Sequence, residues 1–104
     1  MMNLKDMPVG TIVSEAEVEK QAPLYHAFKI KHDFDALDKI TPAFEKLKRG
    51  QKVLSHEGIS GLFIICKVSS INHNDIRAID GPIVRVSDGT QSWRVDGNAY
   101  AVPV

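Results

Sequence analysis

The chain has 104 residues, 43% of them hydrophobic, and thirteen basic side chains balance thirteen acidic ones. That size suits one domain with one core, and the balanced charge leaves no global field to steer the protein toward nucleic acid or an anionic membrane. A single cysteine, Cys66, excludes an internal disulfide, and the longest apolar run, Leu62 to Cys66, is too short for a bilayer span, so a soluble cytoplasmic protein is expected.

Pro8 and Gly10 followed by Thr11-Ile12-Val13 predict a turn leading into a short strand. Ser14 and Glu17 match a capping box, which favours a short helix over residues 14–22. The alternative there is an outward-acidic strand, with Ile12, Ala16 and Val18 alternating against Glu15, Glu17 and Glu19. After Pro23, Leu24, His26, Phe28 and Ile30 alternate with Tyr25, Ala27, Lys29 and Lys31, the period-two signature of a half-buried strand. From Asp33 the apolar period lengthens to Phe34, Leu37, Ile40, Phe44 and Leu47, which predicts two short helices or one helix kinked at Thr41-Pro42. This helical segment closes before Gly50, with Lys46, Lys48 and Arg49 in its last turn, where cations complement the helix dipole.

Lys52 to Ser55 reads as a short strand, residues 56–61 as a glycine-bounded turn, and Leu62 to Ile71 as the central strand, apolar on both faces in its first half. Asn72 to Asp75 is a polar loop. Beyond it Asp80-Gly81, Asp88-Gly89 and Asp96-Gly97 recur every eight residues, a hairpin signal that predicts a meander. Two-residue turns at the last two sites set Val86 opposite Gln91, Val84 opposite Trp93, Arg85 opposite Ser92 and Trp93 opposite Tyr100. A three-residue loop Asp80-Gly81-Pro82 sets Ala78 opposite Val84 and Ile76 opposite Val86. These registers gather Val84, Val86, Trp93, Val95, Tyr100, Val102 and Val104 on one face, and Arg85, Ser87, Thr90, Ser92 and Arg94 on the other. The expected class is α+β, one domain over 1–104, in which strands and short helices from 1–49 pack on an antiparallel β-meander from 50–104.

The Lys48-Arg49-Gly50-Gln51-Lys52-Val53 opening, the strand ending Lys67-Val68-Ser69-Ser70-Ile71, the Val84-Arg85-Val86-Ser87-Asp88-Gly89 hairpin, Trp93-Arg94-Val95 and Val102-Pro103-Val104 together resemble an SH3-like small β-barrel of the Tudor or KOW kind. The resemblance implies that the meander closes as a small barrel. It does not imply methyl-lysine recognition, which uses an aromatic cage, because Trp93 and Tyr100 are both assigned to the core.

His26 and His32 with Asp33 and Asp35 are of metal-ligating type, but their spacing matches no tight ligand motif and His26 is assigned to an inward face. Asn72-His73-Asn74-Asp75 and His56-Glu57 read as polar turns, and Cys66, among Ile64, Ile65 and Val68, as an inert thiol. No catalytic residue, metal or cofactor is expected. What stands out is Arg77, Arg85 and Arg94 on the outer face of the meander, with Arg77 and Arg85 opposed, an arrangement that destabilises a sheet unless something anionic lies over it. The competing reading is a solvated face whose long side chains cover Ile79 and Ile83. The expected function is a non-enzymatic interaction module that binds an acidic surface or exposed strand of a partner protein. The alternative is nucleic-acid backbone binding, in which these arginines and Lys46, Lys48, Arg49 and Lys52 neutralise phosphates. A remoter one is a small metal hydrolase using His26, His32 or His73.

Overall fold

The computed structural model describes residues 2–72, 83–95 and 100–104. After a short 3-10 turn at Leu4–Asp6 come strand β1 (Ile12–Val13) and helices α1 (Glu15–Gln21), α2 (Pro23–Lys31) and α3 (Phe34–Glu45). Strands β2 (Lys52–His56), β3 (Phe63–Asn72), β4 (Ile83–Ser87), β5 (Ser92–Arg94) and β6 (Val102–Pro103) follow. Among the described residues the class is α+β, with three helices against a six-stranded antiparallel sheet of order β5-β4-β3-β2-β6 in which β1 pairs with β3. No helix among them is long and apolar enough to cross a membrane.

Ser14 caps α1 by accepting the Glu17 N–H at 3.3 Å, so residues 15–21 are helix and the strand alternative falls away. The Glu17 carboxylate does not close the box; it accepts from Gln21 Nε2 at 2.8 Å.

The strand expected over 24–31 is instead the helix α2, because both of its ends are specified for one. Pro23 occupies the first helical turn, and His32 takes a left-handed φ of 54°, letting the Asp33 N–H close onto the Ala27 carbonyl at 3.1 Å. Asp33 then caps α3 by accepting from the N–H groups of Asp35 and Ala36. Burial follows the helix: Tyr25, His26 and Phe28 are inside, while Leu24 and Ile30, which the alternation assigned to the core, are exposed. Tyr25 meets the edge of Phe63 with ring centroids 5.9 Å apart.

α3 is a single helix that runs through Pro42, and Thr41 donates its hydroxyl to the Leu37 carbonyl at 2.8 Å one turn earlier. Ala36, Ile40 and Phe44 form its buried stripe and Leu47 continues the burial beyond it. The helix ends at Glu45, so Lys46 is its C-cap and Lys48 and Arg49 lie in the following turn, not in the last helical turn as expected.

β3 is the central strand, and Phe63, Ile64, Ile65 and Cys66 are all buried, as its unbroken apolar run predicts. β2 takes one edge along residues 63–67; β1 and β4 divide the other, at residues 63–64 and 67–72, with a bulge between Val68 and Ser70.

The β4–β5 register departs from expectation by two residues: Arg85 faces Arg94, Val86 faces Trp93 and Ser87 faces Ser92. The cause is the Asp88 side chain. Its carboxylate accepts from the N–H groups of Thr90 and Gln91, each at 2.9 Å, and Asp88 donates its own N–H to the Gln91 carbonyl, so Gly89-Thr90 forms the tip rather than Asp88-Gly89. These hydrogen bonds hold the Asp88 carboxyl below its usual range. A two-residue slip leaves every side chain on its own face, so Val84, Val86 and Val95 are buried as expected; Trp93 is only half-buried. The expected partners Ala78 and Ile76 of Val84 and Val86 are replaced by Ile71 and Val68, because β3 itself occupies that edge of β4. Residues 76–79, the Asp80-Gly81-Pro82 loop and the Asp96-Gly97 turn lie outside the described residues.

Gly89 has the positive φ expected of it, 104°, and faces open space; Gly10, φ 98°, has the Asp88 carbonyl only 3.0 Å from where a Cβ would stand. Gly89→Ala is therefore expected to cost about 1–2 kcal/mol, the backbone strain alone. Gly10→Ala should cost measurably more, because the Asp88 turn must also move. Urea unfolding of the two variants compares them; equal losses would mean that the close approach carries no energy.

Candidate functional site

Directly opposed residues in a sheet share a face, so the ladders can be followed across strands. One row runs Lys52–Lys67–Ser87–Ser92 and the next Ser70–Arg85–Arg94. Both lie on the side away from buried Val68, Val84 and Val86, and Lys67, Ser70, Arg85, Ser92 and Arg94 are exposed. An Arg85 Nη lies 3.4 Å from Ser92 Oγ, and Ser69 donates its hydroxyl to the Arg85 carbonyl at 3.1 Å, tying the bulge of β3 to β4. Beside these rows, Val9, Lys67, Ser69, Ser87 and Gly89 line a groove of about 260 Å³.

Two of the three expected arginines are thus brought together more closely than expected, Arg85 directly opposite Arg94. The position beside Arg85 that was expected to hold Arg77 is held by Ser70, and Arg77 lies outside the described residues. Lys48 and Arg49 are exposed on a turn pinned to β3: the Gly50 N–H donates to the Val68 carbonyl at 2.8 Å and Gln51 accepts from the Val68 N–H at 2.9 Å. Three strand spacings, roughly 14 Å, separate that turn from β5. Lys46 is exposed at the end of α3.

Lys52 has a different role from the one expected. Its ammonium is half-buried and donates to the carbonyls of Lys5 at 3.0 Å and Met7 at 2.6 Å, clipping the N-terminal turn to the sheet. Lys67 takes its place on the exposed face. The signal for it was the one charged residue interrupting the apolar run of β3, in register with the outward serines.

The face offers guanidinium, ammonium and hydroxyl donors. The Asp88 carboxylate at the adjoining turn is occupied by the turn it builds. That chemistry suits carboxylates and phosphates, arginine being able to present two parallel N–H groups to either.

Among the described residues, the histidines, carboxylates and thiol of metal-ligating or nucleophilic type are not gathered into a metal site. His26 is buried, with Nε2 3.1 Å from Glu15 and 3.5 Å from Glu19. Among the described residues no three His, Cys, Asp or Glu side chains are placed to hold a metal ion. Cys66 is buried with Ser55 Oγ 3.1 Å from its sulfur, and burial pushes its thiol up to about 11. His73 lies outside the described residues. The chain matches no protein-family model, no curated protein and no solved structure.

Proposed function

We propose that the chain is a non-enzymatic binding module that engages an acidic surface of a partner protein through the cationic face of β3, β4 and β5. The observation that carries this reading is the exposed pair Arg85 and Arg94, directly opposed, with Lys67 one row away. Side by side on neighbouring strands, the two guanidinium groups can engage one acidic surface together, each able to present two parallel N–H groups to a carboxylate. The serines around them extend the set of donors without adding negative charge. Trp93 lies on the opposite, apolar face, so among the described residues this surface carries no aromatic platform for stacked bases, which favours a protein partner over a nucleic acid. The fold reading that accompanies the proposal is an SH3-like barrel: β6 returns to the outer edge of β2, the step by which a meander of this kind curls toward closure.

The test is recovery of the partner by pull-down and mass spectrometry, followed by affinity and melting measurements on Arg85→Thr, Arg94→Thr and the double variant. The double variant is expected to stay folded with a cooperative melt and to bind at least about tenfold more weakly, the loss of one charge-assisted contact of roughly 1.5 kcal/mol. Unchanged affinity would sink the proposal. Steep salt dependence with competition by nucleic acid would replace the protein partner with a phosphate backbone.

A further inference from the structure

The groove beside the cationic rows is walled by two turns that are each fixed to the sheet. Gly10 donates its N–H to the Ile65 carbonyl at 2.7 Å and the Thr11 carbonyl accepts from the Ile65 N–H at 2.9 Å, which pins the turn carrying Val9 against β3. From the other side the Asp88 turn brings in Gly89, and its Asp88 carbonyl stands 3.0 Å from where a Gly10 Cβ would lie. The absence of a side chain at Gly10 is what lets the two turns close on each other. Between them, Lys67 and Ser87, directly opposed across β3 and β4, and Ser69 at the bulge complete the lining of about 260 Å³.

We propose that this groove anchors a glutamate side chain of the partner, its carboxylate accepting from Lys67 Nζ and Ser87 Oγ, while a second acid two residues along the same segment meets Arg85 and Arg94. This rests on the partner-binding reading above and specifies what the partner presents: a short extended stretch with acidic residues at alternate positions.

The donors are in place for it. Lys67 is exposed and, among the described residues, takes part in no ion pair or hydrogen bond. Ser87 Oγ accepts the Gly89 N–H at 3.1 Å, which orients the hydroxyl and leaves its hydrogen for a ligand. Ser69 gives its own hydrogen to the Arg85 carbonyl, so Ser87 is the hydroxyl donor beside Lys67. The Asp88 carboxylate already accepts from the Thr90 and Gln91 N–H groups and from the Thr90 hydroxyl at 3.0 Å within its own turn.

Size and spacing choose the occupant. The groove falls below the roughly 300–1,000 Å³ of sites for drug-sized molecules, which suits one inserted side chain. Val9, 37% exposed on its wall, offers apolar contact to the methylenes of a glutamate. Ser87 and Arg85 are two residues apart on β4, roughly 7 Å, and an extended partner chain repeats its same-side residues at that distance. Because both walls are hydrogen-bonded to the sheet, little ordering is needed when the side chain enters.

The test is NMR titration of the full chain with three acetylated and amidated peptides of one composition. They are Thr-Thr-Glu-Val-Glu-Thr-Thr, with alternate acids; Thr-Thr-Glu-Glu-Val-Thr-Thr, with adjacent acids; and Thr-Glu-Thr-Val-Glu-Thr-Thr, with acids three apart. The alternate peptide is expected to shift the amide signals of Lys67, Ser87 and Gly89 together with those of Arg85 and Arg94, saturably, with a dissociation constant on the order of 1 mM. The other two should bind at least about fivefold more weakly. Lys67→Met should remove that preference, Lys67→Arg should keep it, and Lys20→Met, which deletes an exposed charge on α1, should leave the ranking unchanged. The inference is overturned by equal binding of the three peptides, by shifts confined to Arg85 and Arg94, by the absence of saturable shifts, or by an unchanged ranking in Lys67→Met. If the recovered partner loses affinity in the Arg85 and Arg94 double variant while Lys67→Met leaves it intact, the binding reading stands and this inference alone fails.

Discussion

Replacing Phe44 with alanine is expected to destabilise the protein by about 3–5 kcal/mol, and replacing Phe34 with alanine by no more than about 0.5 kcal/mol, although both belong to the same apolar stripe of the sequence. Phe44 is 1% exposed and stacks on Tyr100 with ring centroids 4.1 Å apart and planes 22° from parallel. Tyr100 also meets Phe28, with centroids 6.3 Å apart, so α2, α3 and the segment entering β6 converge on this one aromatic cluster. Truncating Phe44 leaves a cavity that neither Tyr100 nor the neighbouring Ile40 can fill without moving a helix. Phe34, 66% exposed at the first turn of α3, gives up little buried surface when truncated. Thermal melting separates the two: a drop of roughly 12 °C or more for Phe44→Ala and a near-parent curve for Phe34→Ala. Similar losses in both variants would mean that the core does not run along Ala36, Ile40 and Phe44.

Replacing Lys52 with methionine is expected to cost about 1–3 kcal/mol and to leave partner binding unchanged. The substitution keeps the aliphatic stem and removes only the ammonium that bridges the Lys5 and Met7 carbonyls. Two carbonyls lose a charged donor at a half-buried site, and the 3-10 turn at Leu4–Asp6 loses a main attachment to the sheet. Urea unfolding measures the cost, and amide exchange should rise first in residues 4–7. A variant of parent stability that binds the partner less well would return Lys52 to the binding surface, where its sequence neighbours Lys48 and Arg49 suggest it belongs.

Lys52 illustrates where reading from sequence stops. Charge and exposure can be anticipated from composition, but whether an ammonium points to solvent or to two carbonyls some 45 residues away depends on where the chain returns. The same limit hides a cavity of about 270 Å³ lined by Phe28, Lys29, His32, Phe34 and His56: its residues come from α2, its C-cap, α3 and β2, and no local pattern joins them.

Some features depend on contacts within a few residues or on a simple period, and these the sequence determined by itself. They are the Ser14 cap of α1, the burial of Ile40, Phe44 and Leu47 along and beyond α3, the doubly buried first half of β3, the positive φ at Gly89, and the faces taken by Val84, Val86, Arg85 and Arg94. The faces withstand a two-residue change of register because side chains alternate with period two. Tertiary structure decided the rest. Over residues 24–31 eight alternating positions fit a strand, yet Pro23 and the left-handed His32 admit a helix, and the helix is what lets Tyr25 reach Phe63 while Phe28 reaches Tyr100. The opposition of Arg85 to Arg94 was likewise decided in three dimensions: the Asp88 carboxylate gains two backbone hydrogen bonds by moving the turn one residue onward, and β3 occupies the edge of β4 that a local meander would have filled.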